Sequence, residues 1–203
     1  MDGGADVDTV ELTNGSDAFF LHDSFSGFHS SLELTNGLNG ETGTARIESI
    51  ENINAGAGND IIDLTSPDYS LAGQNIIVDG GLGNDTLWGS DANETFTGGE
   101  GNDELFGGAG INELIGGSGA DEFQFTRTLA DDTVADFNIS EGDTLKFFNT
   151  GGAQFDRDSV SLNTAGDQLS IAYGADANDV LSIGLTNARL VLDDLTSDVL
   201  IIM

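Results

Sequence analysis

Three aspartates, Asp85, Asp103 and Asp121, each close the same short pattern: glycine, glycine, any residue, glycine, any residue, aspartate. The glycines are Gly80, Gly81 and Gly83, then Gly98, Gly99 and Gly101, then Gly116, Gly117 and Gly119. Glycine reaches backbone conformations closed to other residues, so such a run turns tightly. A tight turn points its carbonyl oxygens inward, and the aspartate adds a carboxylate. The result is an oxygen-only shell, which suits a hard cation such as Ca2+ with its roughly 6–8 ligands.

These turns belong to a nine-residue unit repeated without a gap from 80 to 124: GGLGNDTLW, GSDANETFT, GGEGNDELF, GGAGINELI and GGSGADEFQ. The last three positions predict a short strand. Its apolar residue (Leu87, Phe96, Leu105, Leu114, Phe123) should point inward. A fixed nonapeptide period is the signature of a parallel β-solenoid. Two units make one coil, so turns 80–85, 98–103 and 116–121 share one edge. Turns 89–94 and 107–112 share the other, where Glu94 and Asn112 stand in place of aspartate. The expectation is one well-formed cation edge and one weak or empty edge, with each ion between successive turns. The first edge should reach back to Gly56, Gly58 and Asp60, because 55–60 imitates the motif and Ile61–Leu64 follows as a strand. Two strands then separate Asp60 from Asp85, with 65–73, which holds the only proline, Pro67, as a longer loop between them.

Outside the repeats the chain is less regular. Residues 3–12 echo the motif, with Asp6 and Asp8 in the turn and Val10 inside. Phe19, Phe20, Phe25 and Phe28 cluster near His22 and His29. They read better as an atypical cap on the end of a solenoid than as a histidine metal site. Ile47, Ile50 and Ile53 fit an irregular β-coil or one helical turn equally well. Beyond Gln124, Phe125, Val134, Phe137, Leu145, Phe147 and Phe148 replace the glycine frame. Residues 160–162, 169–173, 180–183 and 189–192 alternate as strands of a half-buried antiparallel sheet. The expected division is 1–54 as an irregular β cap, 55–124 as the β-roll and 125–203 as a smaller antiparallel β cap. The fold class is all-β.

The 203 residues carry 36 acidic and five basic side chains, a net charge of −31. Aspartate outnumbers glutamate 25 to 11, which favours turns and metal ligands over helices. No basic patch exists for nucleic acid, and an anionic membrane would repel the chain. Without metal the stacked carboxylates repel, so the chain should be largely unfolded, with binding supplying the folding energy. Cysteine is absent, as suits a secreted chain constrained by metal instead of disulfides. The longest apolar runs are too short to span a bilayer. Met1-Asp2-Gly3-Gly4 lacks the features of a secretory signal, and Met1 looks like a start added to a fragment.

The units at 80–88, 98–106 and 116–124 match G-G-x-G-x-D-x-U-x and so resemble the RTX (repeats-in-toxin) family. The resemblance covers 55–148 well and the termini loosely. It implies a parallel β-roll that binds Ca2+, leaves a bacterial cell through a type I secretion apparatus and folds outside, as a secreted or cell-surface protein. Residues 132–145 resemble the segment after the repeats in serralysin-type proteases, where an aspartate, here Asp136, often completes the last calcium site. Asp198-Val199-Leu200-Ile201-Ile202-Met203 resembles the uncleaved carboxy-terminal signal of type I substrates.

The family does not fix one activity. No cysteine, HExxH or G-x-S-x-G is present, and neither histidine has an evident triad partner. The expectation is a monomeric, non-enzymatic module that stabilises and exports a large extracellular protein such as an adhesin. The alternatives are a glycan- or ice-binding β-roll using Asn59, Asn84 and Asn102, or the end of a secreted hydrolase or epimerase.

Overall fold

The computed structural model describes residues 6–20, 50–65, 70–126, 132–148, 161–162, 168–172, 180–185 and 200–202. Among these residues there is no helix; the chain winds between two sheets of mostly parallel strands. The first sheet runs β1 (Thr9–Glu11), β3 (Asn52–Asn54), β5 (Asn75–Leu82), β7 (Asn93–Glu100), β9 (Glu113–Ser118), β11 (Thr133–Val134), β15 (Val180–Leu185), β14 (Gln168–Ala172) and β13 (Ser161–Leu162). The second runs β2 (Ala18–Phe20), β4 (Ile61–Asp63), β6 (Thr86–Trp88), β8 (Glu104–Phe106), β10 (Glu122–Phe125), β12 (Thr144–Phe147) and β16 (Leu200–Ile202). Successive strands from β1 to β12 alternate between the sheets, so each pair of strands closes one coil.

Register explains the core. Val10, Ile53, Val78, Phe96, Leu114, Val134 and Leu185 pair in one column of the first sheet. Ile62, Leu87, Leu105, Phe123 and Leu145 pair in one column of the second. Both columns are buried, and Leu87, Phe96, Leu105, Leu114 and Phe123 are wholly so. Each buried side chain of this size contributes about 1.5–3 kcal/mol. At the carboxy-terminal end the core turns aromatic: Phe125 stacks on Phe147 at 5.3 Å, and Phe123 meets Phe137 at 6.1 Å.

The strands differ from expectation at the turns. β5, β7 and β9 run on through the glycine pairs, with Gly81, Gly99 and Gly117 still paired across the sheet. Backbones without side chains can keep the ladder going into the corner. On the opposite edge, β6 and β8 stop after three residues.

The antiparallel strands are β13, β14 and β15, and β15 joins the roll by pairing parallel with β11. Leu200–Ile202 extends the second sheet, pairing parallel with β12. Parallel pairing also crosses residue 54, through β3 with β5 and β2 with β4, and residue 124, through β10 with β12. Phe25, Phe28, His22, His29, Pro67 and residues 189–192 lie outside the described residues.

Candidate metal centre

The edge carrying Asp85, Asp103 and Asp121 is a column of carboxylates. The Oδ1 of each aspartate accepts a backbone N–H from the aspartate one coil earlier: Asp60 N–H to Asp85 at 2.8 Å, Asp85 N–H to Asp103 at 2.8 Å, and Asp103 N–H to Asp121 at 2.9 Å. The column reaches further than the repeats. Asp17 donates its N–H to Asp60 at 2.6 Å, and Asp121 donates to Asp143 at 3.1 Å. The steps are 43, 25, 18, 18 and 22 residues. Extra residues are taken up within the coils while the corner stays in place.

The second oxygen of each carboxylate is the chemically important one. Oδ2 of Asp60, Asp85, Asp103 and Asp121 is buried and accepts no hydrogen bond, and each of these residues is at most 2% exposed. An unpaired buried carboxylate oxygen costs several kcal/mol. The column ends satisfied: Asp17 Oδ2 accepts from the Thr13 N–H at 2.7 Å, and Asp143 Oδ2 from the Asn138 N–H at 2.7 Å.

In the three complete turns the orphan oxygen faces the first glycine. A Cβ on Gly80 would fall 2.5 Å from Asp85 Oδ2 and 2.6 Å from the Gly98 carbonyl oxygen. On Gly98 it would meet Asp103 Oδ2 and lie 2.6 Å from the Gly116 carbonyl; on Gly116 it would meet Asp121 Oδ2. So the first glycine of each pair is required for space. Left-handed backbone falls to the second and fourth positions, as at Gly99 (φ 115°) and Gly101 (φ 137°). Gly56 (φ 94°) and Gly58 (φ 131°) repeat this in the 55–60 turn, stacked on Gly81 and Gly83.

Burial pushes these acids up in the metal-free form. Asp60 and Asp85 are raised, and Asp103, Asp121 and Asp143 reach about 6; desolvation is the main cause, opposed by the N–H bonds and reinforced by neighbouring carboxylates. A buried anionic oxygen with no donor, beside a carbonyl oxygen, fits a hard cation. Among the described residues no three His, Asp or Glu side chains converge on one point. The carboxylates stand one coil apart, so most ligands of any ion must be backbone oxygens.

Asp136 departs from the column. Its two oxygens accept the Gly116 and Gly117 N–H groups at 2.9 and 2.8 Å, beside the last gap. Its charge helps to raise Asp121 and Asp143. Sequence reasoning missed Asp17 and Asp143 as members of the column. The signals were Gly15-Ser16-Asp17 and Gly142-Asp143, a glycine two residues before the aspartate in the first and one before it in the second.

The opposite edge keeps the bond and, at Asn112, loses the orphan. Glu94 N–H donates to Asn112 Oδ1 at 2.9 Å, as Asp85 N–H does to Asp103. The Asn112 Nδ2, however, sits where Asp103 has Oδ2, 2.7 Å from a Cβ built on Gly107, and donates to Asp132 at 2.8 Å. Glu94 is held by the Ser90 N–H at 2.9 Å and by the Ser90 hydroxyl, but its Oε2 is buried without a partner. Burial raises its pKa to about 7, against the Ser90 hydrogen bonds, with Asp132 and Asp91 adding to the rise.

Fold and edge together define a parallel β-roll whose turns present oxygen to a cation. Residues 49–65, 77–105 and 97–124 match the RTX calcium-binding nonapeptide repeat. These residues carry that repeat, and Ca2+ is the ion such repeats bind. No curated protein matches the chain at a significant level. Among solved structures, the solution structure of the AlgE6R3 subunit from the Azotobacter vinelandii mannuronan C5-epimerase is similar at 25% identity. That match covers 68% of this chain and 82% of that one, with a TM-score of 0.46.

Proposed function

We propose that this chain is a calcium-loaded folding module whose ions lie in the gaps between successive turns of the Asp85 edge. The buried, unpartnered Oδ2 atoms of Asp60, Asp85, Asp103 and Asp121 carry this reading. Calcium supplies the positive charge that these oxygens lack. Two gaps are bounded on both sides by complete turns: 80–85 with 98–103, and 98–103 with 116–121. The glycines at the heads of those turns would contribute carbonyl oxygens, and the aspartates would contribute Oδ2. The gap between 55–60 and 80–85 has the same parts through Gly56, Gly58 and Asp60. The gap between 116–121 and Asp143 has Asp136 at its side.

Residues 55–124 are then the metal-binding part, with 1–54 and 125–203 closing its ends. At extracellular calcium, where such modules bind at roughly 10⁻⁴–10⁻³ M, the ions would fill; inside a cell they would not. The module would therefore leave through a type I apparatus unfolded and fold outside. It would act as a monomeric, non-catalytic stabiliser of a larger secreted or surface protein, an adhesin being one such parent. A carboxy-terminal piece of a hydrolase or epimerase predicts turnover instead, and inert behaviour across protein, ester and glycan substrates would remove it.

Far-UV circular dichroism during a calcium titration of EDTA-treated protein tests the reading, with magnesium as control. The expected result is a cooperative coil-to-β transition at sub-millimolar to millimolar calcium, absent with magnesium. Full β structure in EDTA, unchanged by calcium, would overturn it.

A further inference from the structure

Beside the aspartate column runs a second one, pointing the other way. Asn59, Asn84 and Asn102 each precede a column aspartate and are exposed where that aspartate is buried. Asn59 Oδ1 accepts the Asn84 N–H at 2.9 Å, Asn84 Oδ1 the Asn102 N–H at 2.8 Å, and Asn102 Oδ1 the Ala120 N–H at 2.9 Å. Ser16 does the same for Asn59, its hydroxyl accepting the N–H at 2.9 Å. Each asparagine thus reaches forward one coil, while each aspartate reaches back one coil. The two bonds cross the same gap from adjacent residues. Moving two turns apart, or sliding one along the other, would break both.

We propose that Asn84, with Asn59 and Asn102, is a positioning residue that fixes the width of the calcium gap and so its choice of ion. This deepens the calcium reading and rests on it. Three observations on this edge support it. The asparagine oxygen is already committed to a backbone N–H, so its contribution is geometric. The clamp flanks the gaps that hold the unpartnered Oδ2 atoms. Ion choice in an oxygen site depends on cavity size and rigidity, so a pinned gap discriminates by radius and a loosened one does not.

The test is isothermal titration of full-length wild type, Asn84→Ala and Asn84→Ser with Ca2+ and, separately, with the larger Sr2+. Asn84→Ala should weaken Ca2+ binding about fivefold, the worth of about one hydrogen bond. It should also reduce the preference for Ca2+ over Sr2+ by about threefold, because the gap can widen. Asn84→Ser, which keeps a hydroxyl acceptor as Ser16 does, should recover part of both. A merely structural role would weaken both ions by one factor, and that result overturns the proposal. So does unchanged selectivity in Asn84→Ala, or in Asn102→Ala should Asn84→Ala fail to fold. Failure of wild type to bind Ca2+ at all would instead sink the calcium reading itself.

Discussion

Asp103 on one edge and Asn112 on the other make the same bond and differ at one atom. On both, a carbonyl-type side-chain oxygen accepts the N–H of the residue one coil earlier. On both, the preceding asparagine reaches forward, Asn84 to Asn102 and Asn93 to Ile111. At Asp103 the remaining atom is an oxygen with a negative charge and no donor. At Asn112 it is an amide nitrogen that donates to Asp132. The Asp103 gap lacks positive charge; at Asn112 the corresponding place is filled by the side chain's own N–H. An asparagine in the aspartate position is therefore a substitute for the cation as well as the loss of a ligand.

The largest expected effect comes from removing the orphan oxygen. Asp103 borders two gaps, so Asp103→Ala should raise the calcium midpoint for folding more than tenfold, while Asn112→Ala should leave that midpoint nearly unchanged. Asn112→Ala should instead cost about 1–3 kcal/mol of stability, since Asp132 and the Glu94 N–H lose a buried partner. Circular dichroism titrations of both variants separate these outcomes. Equal calcium shifts in the two would show that the edges have been assigned wrongly.

A sharper exchange swaps the atom alone. Asp103→Asn should bind fewer calcium ions by titration calorimetry, yet hold more structure in EDTA than wild type, because one buried charge is gone. Asn112→Asp should do the reverse for metal-free stability: it sets a carboxylate against Asp132 where an amide N–H had donated. Greater EDTA stability in Asn112→Asp than in wild type would contradict the view of Asn112 as a built-in cation.

The phase of the two edges was legible in the sequence because the nonapeptide frame is unbroken from 80 to 124, and it placed Asp85, Asp103 and Asp121 together against Glu94 and Asn112. Asp60 was legible too, once two strands were counted between it and Asp85. Asp17 and Asp143 were not, because steps of 43 and 22 residues break the period while leaving the corner intact. Nor could spacing show what Asn112 does, since its acceptor, Asp132, comes from a segment without the glycine frame. Both glycines of each pair looked like turn formers; only the second is left-handed, and the first makes room for a carboxylate that spacing alone does not place there.

Proton binding distinguishes the edges more gently. Glu94 has a metal-free pKa near 7, and Asp103, Asp121 and Asp143 near 6, all above ordinary carboxylate values. A raised acid binds protons more tightly folded than unfolded, so it costs stability above its folded pKa and the cost fades as pH falls towards the unfolded value. The melting temperature of whatever folds without metal should therefore rise between pH 8 and pH 5. Glu94→Gln should remove the part of that rise nearest pH 7. With calcium saturating, the trend should reverse below about pH 6 as protons compete for the column. A flat metal-free profile over that range would mean the column oxygens are better solvated than their burial implies.

The smallest effect compares Asn93 with Asn84, the same side chain doing the same job on the two edges. Asn93 Oδ1 accepts the Ile111 N–H at 3.1 Å across a gap that Asn112 also spans, its Oδ1 accepting the Glu94 N–H. Its loss should cost about 1 kcal/mol in thermal or urea unfolding, and by the same amount in EDTA and in calcium. Asn84→Ala crosses a gap that wants an ion, so its cost should grow as calcium rises. That difference in slope separates the two roles, because a hydrogen bond that only stiffens the backbone has no reason to depend on metal. If Asn93→Ala also becomes more damaging with calcium, an ion must be acting on the second edge as well, and the amide of Asn112 does not substitute for it.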